Sequence, residues 1–519
     1  MVKSSYIVLL ITLLLAGCGR IGNIVNVMEE PPFGIYQDSL NDTRMRSALH
    51  EVTVADTSSW KADILVKHRY DSLADTADKA LWVWFSADDG LSDDADEFVS
   101  FMQQELPRHG LAAEAFCLPE IEQDVAMVRH LAFDSLMQDI NEVLPRLDYN
   151  LSKAYVKYVT GMRYGFMQPA KLLNRLYQKT DGMTGVTSYA HLYDYETAAP
   201  NYDEALGALS SDNRMEHLRA SLPANIPLYS ALQEQLTSTT DGEKRWKVLT
   251  NMERCRWRIR HPATDERRVM VNIPSQQLWA ISSDTMLTMN VAVGAWDTKT
   301  PLLCSEISYI QVNPEWSLPP KIAASDFTRH AGDSAWFARH RYFAVHRGTG
   351  DTINIAHMGG ESFKNAAIRF VQRGGQGNAL GRIVFRFSNS FSIYLHDTNS
   401  PGVFSRDRRT VSHGCVRVER PYDLAIFLLP DISEWTRDCL RISMDMQPMT
   451  ERGMRWLASH RNEQRPYRLL TYHKISPRVP IYIVYYTMYP NPQTGVMETF
   501  PDIYGYDKPV YARIQSLFR

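Results

Sequence analysis

Near residue 265 the hydrophobic period of this chain changes, and no other feature constrains its fold as strongly. Before that point apolar residues recur at helical spacing. In "NLSKAYVKYVTGMRYGFM", Leu151, Ala154, Tyr155, Tyr158, Val159 and Met162 share one face. Asn150 is placed to cap this helix and Pro169 to stop it. The tyrosine stripe is expected in a core rather than on a ligand face. After residue 265 the period is two. Val269, Val271 and Ile273 alternate in "RRVMVNIP", and "LWAISSDTMLTMNVAVG" reads as two strands around a Ser-Ser-Asp turn. "GRIVFRFSNSFSIYLHD" and "VPIYIVYYTMY" continue the pattern. At 519 residues the chain exceeds one ordinary domain. The expected fold class is therefore α+β and multidomain. A helical part spans 61–258 and a β-rich part 265–519, with 321–373 as an insertion of mixed character. Residues 18–60 lack a clear period and are expected to form a tether.

The first residues constrain location. "MVKSSYIVLLITLLLAGC" carries Lys3 and then an apolar run from Tyr6 to Leu15, a signal-peptide pattern too short to span a bilayer comfortably. Leu15-Ala16-Gly17-Cys18 resembles a bacterial lipobox, which implies removal of residues 1–17, lipid on Cys18 and a globular part outside the cytoplasm. A formal charge of −3 argues against a global footprint for nucleic acid. The basic run "RCRWRIRH" (254–261) is expected to be a solvated or interdomain segment. Beyond Cys18 there remain Cys117, Cys255, Cys304, Cys415 and Cys439. An odd number in an oxidising compartment points to a free thiol, and four cysteines besides Cys415 allow three full pairings.

Cys415 lies in "TVSHGCVRVERP". A thiol attacks a carbonyl as thiolate, so a catalytic cysteine needs a base nearby. In "FSIYLHD", strand alternation points Phe391, Ile393 and Leu395 one way, and Ser392, Tyr394 and His396 the other. The loop-like "DTNSPGVFSRDRRTVS" then brings Cys415 back across the polar face. Cys415 reads as nucleophile and His396 as general base. The Ser412-His413-Gly414 turn and the Tyr394 hydroxyl read as the oxyanion side, where Gly414 permits close backbone approach. The competing readings are a structural His-Gly-Cys triplet and a zinc site of His396, His413 and Cys415. The latter lacks a clear fourth ligand, so no metal and no cofactor is expected.

"IYLHDT" followed by "SHGCVRV" closely resembles the signature of the YkuD-type L,D-transpeptidases, and "GQGNALGRIVFRF" resembles the segment that precedes it. "NMERCRWRIR", "VNIP", "TPLLCSEISYIQVNPEWSLPP" and "PDIYGYD" are similar to the large periplasmic YcbB-type branch, and "YVKYVTGMRYGFMQP" to its helical scaffold domain. The resemblance covers roughly residues 60 to 515. It implies a β-rich catalytic sandwich and a capping subdomain at 321–373. It also implies attack by Cys415 on the third residue of a peptidoglycan stem peptide, usually diaminopimelate. D-alanine leaves, and the thioester passes to a neighbouring stem as a 3→3 cross-link. It assigns Cys415 as nucleophile, His396 as base, and Tyr394, His413 and Gly414 to the oxyanion side. The backbone carbonyl at Asp397 orients the imidazole, and Arg417, Ser412 and Asn378 fall on the substrate-binding side. Arg417 either holds a substrate carboxylate or pairs with Glu419.

The implied partners are stem peptides as donor and acceptor, a membrane reached through the lipid, and cell-wall synthesis proteins. The implied place is the periplasm of a Gram-negative-type bacterium, and carbapenem sensitivity follows from the cysteine. One departure stands out. The small helical wall-binding module common between scaffold and catalytic domain is missing, because "YSALQEQLTSTTDGEKRWKVLTNMERC" passes almost directly to the catalytic side. Two alternatives remain open: an L,D-carboxypeptidase, in which water replaces the acceptor, and a non-catalytic wall-binding lipoprotein. A papain-like peptidase is disfavoured because His396 precedes the cysteine.

Overall fold

The structure is a computed structural model. It describes residues 33–518 except 75–81, 87–88, 181–184, 186, 196, 198, 224–225, 258–265 and 465. The signal sequence and Cys18 lie outside the described residues. The chain forms two compact units. One holds the described residues up to Leu106 with Ala112–Tyr158 and Tyr202–Ala220. The other holds Pro107–Leu111, Val159–Asn201 and Ser221 onward.

The first unit is mainly helical. The segment expected as a tether instead carries a helix, Asp42–Ala55, capped by the Asn41 side chain accepting from the Arg44 N–H. Met45, Leu49 and Thr53 recur every fourth residue and are buried. So narrow a stripe, in otherwise polar sequence, leaves little trace in composition. Asp148 organises the centre of this unit. Its buried carboxylate accepts from the Val83 and Trp84 N–H groups at 3.0 and 2.7 Å and from the Tyr70 hydroxyl. Nearby, the Trp84 indole donates to Ser152 Oγ at 3.0 Å. Tyr149, Tyr155 and Tyr158 are buried, as the stripe predicts. The helix that carries them runs Ile140–Tyr164, so Asn150 lies inside it and caps nothing. Asp139 does that work, accepting from the Asn141 N–H at 2.9 Å. The helix ends before Pro169, at Gly165, whose φ of +85° is a conformation suited to glycine. Pro169 opens a separate short helix, Pro169–Leu173.

The second unit is built on a sheet. Its strands in chain order are β1 (Tyr193–Asp194), β2 (Arg268–Asn272), β3 (Gln277–Ile281), β4 (Met286–Gly294) and β5 (Leu302–Val312). Four strands of an inserted sheet follow: β6 (Trp316–Ser317), β7 (Tyr342–His346), β8 (Thr352–Ile353) and β9 (Ile368–Gln372). The main sheet then resumes with β10 (Ile383–Phe387), β11 (Leu395–His396), β12 (Thr410–Ser412), β13 (Val416–Val418) and β14 (Tyr472–Val484). The spatial order is β10-β11-β13-β4-β3-β2-β14-β5-β1, with β12 against β4. Because β10 also pairs with β5, the ladder returns on itself. The expected sandwich is thus a closed ring of strands, which leaves few free edges. Val269, Val271, Ile307, Phe385, Leu395 and Val416 are buried in it. Strand β1 comes from the half expected to be all helical and pairs in parallel with β5, Tyr193 opposite Leu302. Two residues are too few to show a period in sequence.

The inserted strands form their own sheet, β6-β9-β7-β8. With the helices Pro320–Phe327 and Ser334–Arg339 they enclose a separate small core around Phe327, Phe337, Phe363 and Phe370. The basic run at 254 is not solvated. Arg254 and Arg256 are buried at the end of the helix Gly242–Arg256. Arg254 pairs with Asp507 at 2.6 Å, and Arg256 donates to the Tyr229 hydroxyl at 2.7 Å. Arg258, Arg260 and His261 fall outside the described residues. Among the described residues no helix is long and apolar enough to cross a membrane.

Candidate active site

Strand register assembles one chemical face from three neighbouring strands. In the antiparallel β10–β11 pair, Val384 lies opposite His396 and Phe385 opposite Leu395. In the parallel β11–β13 pair, Leu395 lies opposite Val416 and His396 opposite Arg417. Side chains alternate along each strand. Phe385, Leu395 and Val416 therefore fill the buried layer, and His396 and Arg417 share the other face. Arg386 and Tyr394 reach that face two residues along their own segments, and Cys415 two residues before Arg417. The alternation expected from residue 391 onward begins only at Ile393. Ser392 has φ +57°, and the Asn389 side chain holds the bend, accepting from the Phe391 and Ile393 N–H groups at 3.0 and 3.1 Å.

Cys415 is held at the edge of this face. The backbone N–H and the hydroxyl of Tyr394 stand against its sulfur and hydrogen-bond to the thiolate form. The Val416 N–H donates to the Tyr394 carbonyl at 3.1 Å, which fixes the two segments together. The Tyr394 and His396 rings lie 5.8 Å apart, nearly edge to face. The Arg386 guanidinium lies over the Tyr394 ring, 4.3 Å from its centroid. Trp316, on β6, stands near the Tyr394 hydroxyl and favours its ionised form.

A second layer sets the turn before Cys415. Gly414 has φ +114°, open to glycine and strained for other residues. Its carbonyl accepts from the Thr300 hydroxyl at 2.9 Å, and Ser412's carbonyl accepts from the Ala295 N–H and the Thr298 hydroxyl at 2.9 and 2.7 Å. Thr300 Oγ1 in turn accepts from the Gly294 N–H at 2.8 Å. The Tyr504 hydroxyl closes the loop, accepting from the Thr300 N–H at 3.1 Å and donating to the Gly294 carbonyl at 2.7 Å.

Burial dominates the electrostatics. It pushes the Cys415 thiol up to about 11, against the opposing pull of Tyr394, Arg386 and Arg417. It pushes His396 down to about 3, and the Arg417 and Arg386 guanidiniums act in the same direction. The carbonyls of Asp397 and Leu380 stand near the ring and favour a proton on it. Even so, Nδ1 is buried with no hydrogen-bond partner among the described residues. At neutral pH the resting pair is thus a neutral thiol and a neutral imidazole with an open acceptor nitrogen.

Tyr394, His396, Cys415 and Arg417 come together, and His413 is exposed on the turn. Two residues expected on the substrate-binding side have their side chains engaged by backbone groups. Asn378 is buried, and its side-chain amide donates to the carbonyls of Pro314, Gln372 and Arg373 while its oxygen accepts from the Leu380 N–H. Ser412 is buried too. Its hydroxyl donates to the Cys415 carbonyl at 2.5 Å and accepts from the Gly414 N–H at 3.1 Å. That last bond also engages the Gly414 N–H expected to serve an oxyanion. Glu419 accepts from the Asn290 N–H at 2.9 Å instead of pairing with Arg417. No disulfide joins any two of the five described cysteines. Among the described residues no group of three or more His, Cys, Asp or Glu is placed to hold a metal. Sequence reading missed Arg386, Trp316, the 294–300 loop and Tyr504. Arg386 alone had a usable signal, since hairpin register puts it on the face of Tyr394.

A profile of the L,D-transpeptidase catalytic domain, YkuD, matches residues 266–433, and a profile of the Scaffold domain matches residues 76–236. A protein of Haemophilus influenzae described as "Putative L,D-transpeptidase" is 27% identical over 362 residues, 69% of each chain. The solved "Structure of the Ldtfm-avibactam carbamoyl enzyme" aligns with 54% of this chain and 77% of its own at 10% identity. Its TM-score of 0.21 is too low for that likeness to bear on the fold. The matched catalytic span contains every strand of the face just described, from Arg386 to Arg417, and a matched scaffold precedes it. On both grounds the chain carries a YkuD L,D-transpeptidase catalytic domain preceded by a Scaffold domain, the YcbB-like arrangement.

Proposed function

We propose that this protein forms 3→3 cross-links between peptidoglycan stem peptides through a thioester on Cys415. The observation that carries this reading is the placement of the thiol against Tyr394, on the face that also presents the open nitrogen of His396 and the guanidinium of Arg417. Donor binding excludes water from the face and brings the carbonyl of the third residue to the sulfur. The sulfur–carbon bond forms as the thiol proton passes to His396. The Tyr394 hydroxyl, with Trp316 near it, donates to the developing oxyanion. The carbon–nitrogen bond to the fourth residue then breaks, and the imidazolium returns its proton to the leaving amine. The acceptor's amine attacks the thioester, gives its proton to His396 and releases the thiol. Water in place of that amine makes the same site an L,D-carboxypeptidase.

The lipobox-like Cys18 supports anchoring as a periplasmic lipoprotein, and the nucleophilic thiol supports acylation by carbapenems. Incubating the purified full chain with stem tetrapeptides and resolving products by mass separates the outcomes. Dimers joined between third residues, with D-alanine released, support the transferase. Tripeptide without dimer supports the carboxypeptidase, and unchanged tetrapeptide supports a wall-binding role.

A further inference from the structure

Two guanidiniums stand beside the nucleophile with no carboxylate paired to them among the described residues. Arg386 donates only to the neutral amide of Gln311, at 3.2 Å from Nη2, and its ring stacking on Tyr394 is likewise uncharged. The buried Nε atoms of Arg386 and Arg417 have no hydrogen-bond partner among the described residues. Burial lowers the pKa of Arg417, which marks a cation paired with no resident carboxylate. The neighbouring thiol is neutral at rest and supplies no counter-charge. A half-buried cation left this way is costly unless a ligand brings the missing anion.

We propose that Arg386 is a specificity-determining residue that binds a second carboxylate on the acyl donor, so that the site selects a donor bearing carboxylates on both sides of the scissile bond. This inference builds on the transpeptidase reading. The order of the strands assigns the two anions. His396 returns the proton to the leaving amine and lies directly opposite Arg417. The carboxylate of the leaving residue is one carbon from that amine and falls to Arg417. Tyr394 faces the carbonyl of the acyl residue and lies under Arg386. The side-chain carboxylate of the acyl residue therefore falls to the half-buried guanidinium of Arg386, which pairs with no carboxylate among the described residues. A donor whose side-chain carboxylate is amidated presents a neutral group there and loses a charge-assisted hydrogen bond.

The test compares two tetrapeptide donors on the full chain, one with diaminopimelate carrying its free side-chain carboxylate and one with that group amidated. Acylation of Cys415 is followed by intact mass, with Arg386→Met and Arg386→Lys beside the wild type. The wild type is expected to favour the free acid by roughly 10- to 100-fold in kcat/KM, the range of one charged hydrogen bond. Arg386→Met is expected to bring that ratio near one, and Arg386→Lys to keep part of it. A merely structural role for Arg386 lowers both donors alike and leaves the ratio unchanged, which overturns the proposal. A wild type that does not discriminate overturns it as well. Failure of the wild type to be acylated by either donor, in a protein that meropenem still labels, counts instead against the transpeptidase reading.

Discussion

His396 stands in an environment far from that of solution. Its ring is buried with a pKa of about 3, whereas the unfolded chain protonates it near 6.5. Between those values the unfolded state binds the extra proton, so the stability contributed by the neutral ring is full above about pH 6.5 and declines as pH falls toward 3. Replacing it by Asn removes this dependence. The loss of stability between pH 7 and pH 4, followed by chemical denaturation, is expected to shrink by at most about 3 kcal/mol. The same burial leaves the base unprotonated over the whole neutral range. Acylation of Cys415 should therefore vary little from about pH 6 to 8, with no inflection near 6.5. A clear histidine titration in that window contradicts the assignment. His396→Ala should slow acylation by roughly 100- to 10,000-fold, the range of general-base catalysis.

At the scale of elements, the nucleophile's position depends on the loop from Gly294 to Thr300. A Cβ on Gly294 would stand 2.1 Å from the Thr298 carbonyl and 2.6 Å from the Thr300 nitrogen, both backbone atoms that cannot swing away. Gly294→Ala is expected to cost on the order of 3 kcal/mol, read as a lower Tm, and to slow acylation further by shifting the Ser412–Gly414 turn. Equal Tm in the two proteins would show that the turn does not depend on this contact. This loop was illegible in sequence because its role consists of hydrogen bonds across 114 residues to the turn. The face itself was partly legible, since Tyr394 and His396 follow from alternation, while Arg417 entered only through the resemblance of "SHGCVRV". For Asn378 and Ser412 the sequence did not show which groups their side chains engage. Polar residues beside a nucleophile look like ligand donors until their partners are known, and here backbone groups engage them. The helix Asp42–Ala55 was missed because a stripe of single buried residues per turn is invisible beside its polar flanks.

In the whole molecule, the change of period near residue 265 separated the helical half from the sheet but concealed two traits. Strand β1 is drawn from the helical half, and ring closure through β5 is a pairing between strands distant in sequence. Both belong to tertiary assembly rather than to local pattern. The buried Arg254–Asp507 pair ties the helix Gly242–Arg256 to the C-terminal helix Asp507–Ile514. Arg254→Met leaves that carboxylate buried without its cation and is expected to destabilise the fold by roughly 3–5 kcal/mol, whereas adding Asp507→Leu should recover part of the loss in thermal denaturation. The catalytic claim is tested most directly by the intact mass of the full chain after exposure to meropenem, beside a Cys415→Ala variant of equal Tm. One covalent adduct on the wild type, mapped to Cys415 and absent from the variant, is the predicted result. A folded wild type that stays unmodified, or an adduct that persists in the variant, contradicts a nucleophilic thiol at this site.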